Sequence, residues 1–277
     1  MELYTAVSYE LAEKLTKRYS TSFSMSSQLF PSSIRPAIYA IYGMVRIADE
    51  IVDTYKGTDA LALLNRFEAD IESSRSNPSG YSTNPIIHAF VDAAKRHHIT
   101  SELTAPFFQS MRVDVEGKKT FTREEYDNYI YGSAAVVGLM CLKVFTAENH
   151  NAYNSLRSGA EALGRAYQKV NFLRDLSADY NELGRSYFPG LSIKDLTEKQ
   201  KQQIIAEIDA DFAEARPAIR KLPDTAKRAV TTSYVYYKEL LDKLRDTPVE
   251  TLRDTRVRLA GPRKIWLLAK TQLRTPS

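Results

Sequence analysis

The apolar residues of this 277-residue chain recur at a helical spacing along nearly its whole length. Between Pro31 and Asp53 they form a stripe with a period of 3.6 residues, and Pro36 suits the first turn of that helix. No alternating run typical of a strand, and no fixed-period repeat, interrupts the pattern. The sequence therefore predicts an all-α protein whose many helices form a single domain, residues 1–277.

Two capping-box patterns mark the starts of further helices, because each pairs a threonine with a glutamate or glutamine three residues later. One begins at Thr122 and predicts a helix that runs to Phe145. The other begins at Thr197, and Pro217 should kink or end its helix. Residues 73–85 are rich in turn formers and predict a surface loop between two helices.

Two aspartate pairs share a four-residue spacing: Asp49 with Asp53, and Asp175 with Asp179. On a helix, such residues lie one turn apart on the same face and repel each other unless a cation lies between them. Each pair follows a strongly apolar stretch, which is unlike an ordinary solvated face. Carboxylate oxygens suit Mg²⁺, which also binds substrate phosphates. The pairs predict a two-sided Mg²⁺–diphosphate clamp in an all-helical cavity.

Polar residues extend the second pair along one face of a helix predicted over about residues 152–180. Gln168 and Asn171 precede Asp175 at spacings that keep all of them on that face, which predicts an interior polar strip. In the first motif, Arg46 comes nearly one turn before Asp49. It could form a structural salt bridge with Asp49 instead of serving a ligand.

The composition narrows the possible classes of protein. An apolar content of 43% and a charged content of 26% are typical of soluble globular proteins. The single cysteine, Cys141, excludes an internal disulfide and a cysteine-based metal site. We find no signal-peptide pattern and no apolar run near the roughly 20 residues that a membrane span needs. A cytoplasmic location is therefore expected.

The net charge of +4 is uneven, because a basic segment begins at Lys243. A basic segment can favour nucleic acid, an anionic membrane or a phosphorylated substrate. A nucleic-acid binder would present a basic stripe with stacking residues, whereas these charges are mixed with acidic ones. The segment 263–270 contains Trp266 and could contact anionic lipid or simply pack as a short helix.

With these motifs in order, the chain resembles the phytoene/squalene synthase family of head-to-head prenyl transferases along essentially its whole length. The segments that carry the resemblance are 19–24, Asp49 to Asp53, 131–132 with 137–138, Gln168 to Asp179, 184–189 and 256–258. Segments 48–54 and 169–175 look most like bacterial phytoene synthases. Glu50 replaces an aspartate often seen there and keeps its charge.

The resemblance implies an isoprenoid-synthase-type helical bundle around a central cavity. It implies that two C20 geranylgeranyl diphosphates condense through a cyclopropyl diphosphate to phytoene, with proton loss in the last step. The implied cofactor is Mg²⁺, or Mn²⁺, and no NADPH is expected. The alternative is a C30 dehydrosqualene or squalene synthase that uses two farnesyl diphosphates. Implied partners are the prenyl diphosphates, a downstream carotenoid desaturase and a peripheral membrane contact for product delivery.

The resemblance also implies roles for individual residues. The implied catalytic residues are Asp49, Asp53, Asp175, Asp179, Tyr131 and Arg46. The implied metal ligands are Asp49, Asp53, Asn171, Asp175 and Asp179. The implied substrate-binding residues are Ser20, Ser22, Phe23, Tyr42, Arg46, Gln168, Asn171, Arg185, Tyr187, Tyr237 and Arg256.

Some interpretations stay open. Tyr42 and Tyr237 could be packing residues rather than substrate contacts. Gly132 and Gly138 either kink a helix beside the prenyl chains or permit close helix packing. A non-catalytic helical relative would be expected to lose the aspartates, and all four are present. Cavity depth would select the prenyl chain length, and the candidates for setting it are Met25, Met44, Leu139 and Val144.

Overall fold

Helices make up almost all the regular structure in the computed structural model of the chain, which describes residues 1–177, 186–192, 194–261, 263 and 266, apart from the side chain of Ser22. Within these residues the α-helices are α1 (Glu2–Tyr19), α2 (Thr21–Ser27), α3 (Arg35–Asp49), α4 (Ala60–Ser76), α5 (Pro85–Arg96), α6 (Ser101–Val115), α7 (Arg123–Ile130), α8 (Val136–Thr146), α9 (His150–Arg174), α10 (Glu198–Lys221), α11 (Asp224–Asp246) and α12 (Val249–Asp254). Two π-helical turns, Glu50–Thr54 and Tyr131–Ala135, extend α3 and join α7 to α8. The described residues contain one isolated bridge, Thr120 to Ser186, and no strand. The all-α prediction is confirmed.

Both capping boxes are present where the sequence predicts them. The Thr122 hydroxyl accepts a hydrogen bond from the Glu125 backbone at 3.3 Å, and the Glu125 carboxylate accepts one from the Thr122 backbone at 2.9 Å. Thr197 and Gln200 exchange the same two bonds at 3.3 and 2.9 Å. These bonds satisfy backbone N–H groups that would otherwise lack a partner at the helix start.

The helix predicted from Thr122 to Phe145 is present but contains the π-helical turn Tyr131–Ala135 at its centre. A Cβ on Gly132 in this turn would lie 2.2 Å from the Pro106 carbonyl oxygen on α6, so this glycine permits close packing. Among the described helices, Arg123–Thr146 is the one long and apolar enough to cross a membrane. About half of its apolar window, 56%, is buried inside the fold, as in the core helix of a soluble protein.

The end of α10 differs from the prediction, because the helix continues past Pro217 to Lys221. A proline inside a helix cannot donate to the carbonyl group four residues earlier. Pro217 lies on the exposed face of α10, where water can bond that carbonyl group. Ala215 and Ile219 on the opposite face are buried and keep this turn packed on the core.

The loop predicted over residues 73–85 is shorter than expected, because α4 continues to Ser76. Ser74 is buried in this last turn. Arg75 donates a 3.2 Å hydrogen bond to the Thr104 hydroxyl on α6. These tertiary contacts hold the turn in helical form despite its poor helix-forming residues.

Helices α8 and α9 run antiparallel at very close range. A Cβ on Gly164 would lie 2.7 Å from the Ala134 carbonyl oxygen, and one on Gly138 would lie 3.0 Å from the Ala160 carbonyl oxygen. The glycines therefore serve close helix packing. The two contacts also fix the register: the turn before α8 lies beside the middle of α9, and α8 then runs toward the start of α9.

Buried ion pairs fix α9 against α10. Lys169 is only 3% exposed and contacts Glu207 as well as Asp211, the latter at 2.8 Å. Arg165 donates a 3.1 Å hydrogen bond to Asp211 one turn earlier along α9. A buried charge is costly without such partners. These contacts hold the helix that carries the second aspartate motif.

Buried apolar side chains form two adjoining clusters. The larger involves mainly α1 to α6, α8 and the first half of α9, and the smaller involves α7, the end of α9 and α10 to α12. Leu163 and Tyr234 pack against both clusters. Helix α9 therefore spans both parts of the core.

Candidate active site

An apolar cavity of about 320 Å³ lies between α2, α3, α8, α9, α10 and α11. Asn171, Tyr42 and Tyr237 line one end, while Phe145 and Leu156 line the other. Along α9 the lining residues extend from Leu156 to Asn171, which is about 22 Å at about 1.5 Å per residue. The cavity is thus elongated, with polar groups at one end and hydrocarbon side chains at the other.

The first aspartate motif lies at the end of α3. Asp49 is the last residue of this helix and is half-buried, while Asp53 is exposed within the π-helical turn Glu50–Thr54. Burial raises the pKa of Asp49 to about 7, and the charges of Asp53 and Asp114 add to the effect. A bound cation would favour the ionised carboxylate. These hard oxygen donors fit a divalent metal ion.

Arg46 does not form a direct ion pair with Asp49, which was one of the two interpretations that its spacing allows. Its guanidinium contacts Glu50 one turn later and lies over the Tyr19 ring, 4.4 Å from the ring centroid. It still opposes the rise in the pKa of Asp49, so its charge acts on that carboxyl group. The buried Nε of Arg46 has no hydrogen-bond partner in the described part of the chain.

The second motif begins where α9 ends. Asp175 terminates the helix and accepts hydrogen bonds from Arg174 at 2.8 Å and from Arg256 at 3.2 Å. Arg256 also approaches Asp175 through Nε at 2.6 Å. Asp179 lies outside the described residues. Within those residues, no three acidic, histidine or cysteine side chains form a ready-made metal site.

Tyr42 and Tyr237 connect the two motifs electrostatically. Burial raises the pKa of Tyr42, and the charge of Asp49 raises it further. Burial also raises the pKa of Tyr237, with a smaller contribution from Asp175. Tyr237 also raises the pKa of Tyr42 through its charge, so the two side chains lie close together. Because both tyrosines line the cavity, Asp49 and Asp175 lie toward the same end of it.

Comparison with known proteins assigns the chain to a protein family. The family model described as squalene/phytoene synthase matches residues 16–263. The chain belongs to the squalene/phytoene synthase family. Its members are prenyltransferases that join prenyl diphosphates head to head, so the predicted family and enzyme class are confirmed.

Two relatives of this family member are named for different products. The phytoene synthase of Arthrospira platensis is 28% identical over 292 residues, covering 96% of this chain and 93% of its own. The 4,4'-diapophytoene synthase of Staphylococcus haemolyticus is 30% identical over 181 residues, covering 65% of this chain and 61% of its own. Both C40 and C30 enzymes are therefore close relatives.

Solved structures confirm the fold of this family. A dehydrosqualene synthase superposes with a TM-score of 0.83 at 20% identity, over 97% of this chain and 96% of its own. A squalene synthase from Alicyclobacillus acidocaldarius superposes with a TM-score of 0.76 at 22% identity, over 88% and 95%. The predicted isoprenoid-synthase-type bundle around a central cavity is thereby confirmed.

The remaining predicted substrate-binding residues of this prenyltransferase fall into two groups. Phe23 lines the cavity and stacks on Tyr42 with ring centroids 4.9 Å apart. Ser20 caps α2 by accepting a 3.2 Å hydrogen bond from the Phe23 backbone. Gln168 and Tyr187 are not among the residues that line the cavity. The Ser22 side chain and Arg185 lie outside the described part of the structure.

Tyr131, predicted as catalytic, is half-buried against the larger core cluster and does not line the cavity. Two residues earlier, Tyr129 is buried and donates a 2.7 Å hydrogen bond to Asp114. Asp114 in turn acts on the pKa of Asp49. Neither Tyr129 nor Asp114 is among the predicted site residues. The sequence signal that could have identified this pair is the position of Asp114, a charged residue on the apolar stripe of α6.

The residues that line the far half of the cavity also differ from the prediction. Met44, Leu139 and Val144 are buried in the core, and neither they nor Met25 line the cavity. The far end is lined instead by an aromatic pair and its neighbours: Phe30, Phe145, Leu142, Leu156 and Leu222. Neighbouring positions of a helix face different directions, so the spacing alone could not select the inward face.

The basic segment 263–270 is described at two positions only. Arg263 pairs with Glu239 on α11 at 2.9 Å and lies over the Trp266 ring, 4.3 Å from its centroid. Trp266 is 44% exposed. A membrane contact through this segment stays a prediction.

Proposed function

We propose that this protein condenses two molecules of geranylgeranyl diphosphate head to head, through the cyclopropyl prephytoene diphosphate, to phytoene. The observation that carries the proposal is the cavity, which is mainly apolar, extends over about 22 Å along α9 and has Asp49 and Asp175 toward one end. Such a cavity suits a molecule with a long hydrocarbon tail and an anionic head.

The carboxylates would hold divalent metal ions on both sides of the diphosphates. Asp49 and Asp53 would serve one side, and Asp175, Asp179 and Asn171 the other. Bound there, Mg²⁺ or Mn²⁺ would neutralise the charge that develops on the leaving diphosphate.

The arginines next to the motifs are suited to diphosphate. The buried Nε of Arg46 has no hydrogen-bond partner among the described residues, and the Arg46 charge acts on Asp49. Arg256 presents its guanidinium to Asp175. A planar guanidinium matches phosphate oxygens in a fork geometry. We propose that Arg256 exchanges Asp175 for a diphosphate when substrate and metal bind. Arg185 is proposed for the same role.

The aromatic and apolar walls would guide the reacting chains. Phe23, Tyr42 and Tyr237 lie near the polar end, where an allylic cation would form, and aromatic faces attract cations. The remaining walls keep bulk water away from the cation, which it would otherwise capture. The last step would be proton loss, so no NADPH is required.

A C30 synthase that uses two farnesyl diphosphates is the second candidate. The diapophytoene synthase relative and the dehydrosqualene synthase structure favour it. The longer match to the phytoene synthase and the depth of the cavity favour the C20 substrate. An oily product of either length would need delivery to a bilayer, so we propose peripheral membrane contact and a downstream desaturase in the cytoplasm.

Product analysis tests the proposal. Purified protein with Mg²⁺ is given geranylgeranyl or farnesyl diphosphate, with and without NADPH, and the hydrocarbons are extracted. We expect a C40 hydrocarbon from the C20 substrate without NADPH. Asp49→Ala and Asp175→Ala should abolish it, while Asp224→Ala, at an exposed position of α11, should not. A C30 product alone would support the second candidate, and no metal-dependent product would refute both.

A further inference from the structure

Besides Ser26, whose hydroxyl donates a 3.0 Å hydrogen bond to the Phe23 carbonyl oxygen, three hydroxyl groups interrupt the apolar wall of the cavity. Ser133 comes from the π-helical turn before α8, Tyr167 from α9 and Ser233 from α11, and all three line the cavity. Tyr167 stacks on Tyr237 with ring centroids 3.9 Å apart. It lies one helical turn from Asn171, toward the apolar end.

The helix register places these groups at one level. Because Gly164 lies against Ala134, Ser133 lies across from the next turn of α9, which carries Tyr167. Ser233 is close enough to the Tyr167 hydroxyl to influence its pKa, although the two do not meet the geometry of a hydrogen bond. We call Ser133, Tyr167 and Ser233 the hydroxyl belt.

Two of the three hydroxyl groups in the belt lack a hydrogen-bond partner in the part of the chain that the structure describes. The Tyr167 hydroxyl and the Ser133 Oγ are buried, and neither has a hydrogen-bond partner among the described residues. Burial raises the pKa of Tyr167, which keeps its hydroxyl protonated and able to donate. A buried hydroxyl without a partner is destabilising. A prenyl chain offers no acceptor, whereas a water molecule needs two to four polar partners and the belt supplies three.

We propose that the hydroxyl belt binds a water molecule that accepts the proton lost in the last step of the reaction. A C–H bond next to the cationic carbon breaks, and its electron pair forms the new C=C bond. The proton binds the water oxygen and passes to the released diphosphate. The belt would thereby fix which proton leaves. This inference rests on the proposed function.

The first test compares products. Two single variants each remove one hydroxyl group of the belt: Tyr167→Phe and Ser133→Ala. For each variant, the hydrocarbon formed per diphosphate released is compared with that of the wild type. Their hydrocarbon should become a mixture of double-bond isomers, or the cyclopropyl diphosphate should accumulate at least threefold. The matched control is Tyr39→Phe, because the Tyr39 hydroxyl is also buried without a partner among the described residues but does not line the cavity.

A product pattern for Tyr167→Phe identical to the wild type would overturn the proposal. So would an alcohol as the main wild-type product, since the water would then attack carbon instead of taking the proton. If the wild type makes no hydrocarbon from either substrate, the proposed function is refuted. The bound water is then still tested by a comparison of Tm values, which needs no substrate.

The stability test needs no substrate. Removing an unsatisfied hydroxyl is nearly neutral or stabilising, whereas removing one that binds water is destabilising. We therefore expect a lower Tm for Tyr167→Phe than for Tyr39→Phe. Equal Tm values for the two variants, or an empty belt in a high-resolution crystal structure, would refute the bound water.

Discussion

The Tyr129 hydroxyl on α7 donates a 2.7 Å hydrogen bond to the Asp114 carboxylate on α6. Tyr129 also stacks on Tyr187, with ring centroids 5.4 Å apart, and Tyr187 stacks on Phe172 of α9 at 4.0 Å. Asp114 adds to the raised pKa of Asp49. The pair therefore connects the first aspartate motif to the helix that carries the second.

Tyr129→Phe should destabilise the protein by about 1–3 kcal/mol, because a buried carboxylate loses a hydrogen-bond donor. We also expect lower activity, since Asp114 acts on Asp49. Denaturant unfolding and steady-state kinetics measure the two effects. Tyr126→Phe is the matched control: Tyr126 is equally buried, and its hydroxyl makes no hydrogen bond within the described residues. Equal losses for both variants would show that the Asp114 contact is unimportant.

Asp49→Asn should stabilise the metal-free protein at neutral pH. The pKa of Asp49 is raised to about 7, so the folded state carries the full cost of its ionised form above that pH. As the pH falls below about 7 the folded carboxyl group is protonated and this cost declines. We expect the variant to exceed the wild type in Tm by at least about 2 °C at pH 8. The difference should shrink toward pH 5.

Addition of Mg²⁺ should reverse that order at pH 8. A metal ion that binds the folded state raises its stability, and Asp49→Asn removes a ligand. Thermal unfolding with and without Mg²⁺ measures both effects. A wild-type Tm that does not respond to Mg²⁺, even with inorganic diphosphate present, would contradict the metal site.

Local patterns predicted much of this fold. Thr122 with Glu125 and Thr197 with Gln200 marked two helix starts correctly, because a capping box involves only adjacent residues. Tyr42, which the family resemblance implied as a substrate contact, lines the cavity. What the sequence could not predict depended on contacts between helices.

The pair of Tyr129 and Asp114 shows that limit, since the two lie on different helices and no spacing rule links them. The same holds for Arg46. Glu50 and Asp49 are both within its reach along the helix, and the burial of Asp49 together with the π-helical turn leaves Glu50 as its direct partner. The far end of the cavity was missed because it requires knowing which face of α8 points inward.

Arg256→Gln should weaken substrate binding more than the chemical step. Arg256 is exposed and its fork lies on Asp175, so it can transfer to a diphosphate without crossing the core. We expect KM for the prenyl diphosphate to rise by roughly tenfold, the loss of about one charged hydrogen bond. Arg258→Gln is the control, because Arg258 is a neighbouring exposed arginine. Equal KM values for Arg256→Gln and the wild type would refute a role for Arg256 at the diphosphate.

The aromatic pair at the far end of the cavity should set the preferred chain length. Phe30 and Phe145 stack with ring centroids 5.3 Å apart where the apolar walls meet. Phe145→Leu would deepen the cavity, and Val230→Phe on α11 would fill it. We expect the first variant to raise, and the second to lower, the ratio of kcat/KM for the C20 substrate over the C15 substrate by roughly tenfold.

Competition between geranylgeranyl and farnesyl diphosphate, followed by hydrocarbon analysis, measures this ratio. Phe108→Leu provides the control, because Phe108 is fully buried outside the cavity and its loss should lower stability without changing chain-length preference. If Phe145→Leu and Phe108→Leu shift the ratio equally, general loosening of the core explains the effect. If Phe145→Leu and Val230→Phe instead move the ratio in opposite directions, the depth of this cavity selects the chain length. The reason is that the first variant deepens the cavity and the second fills it.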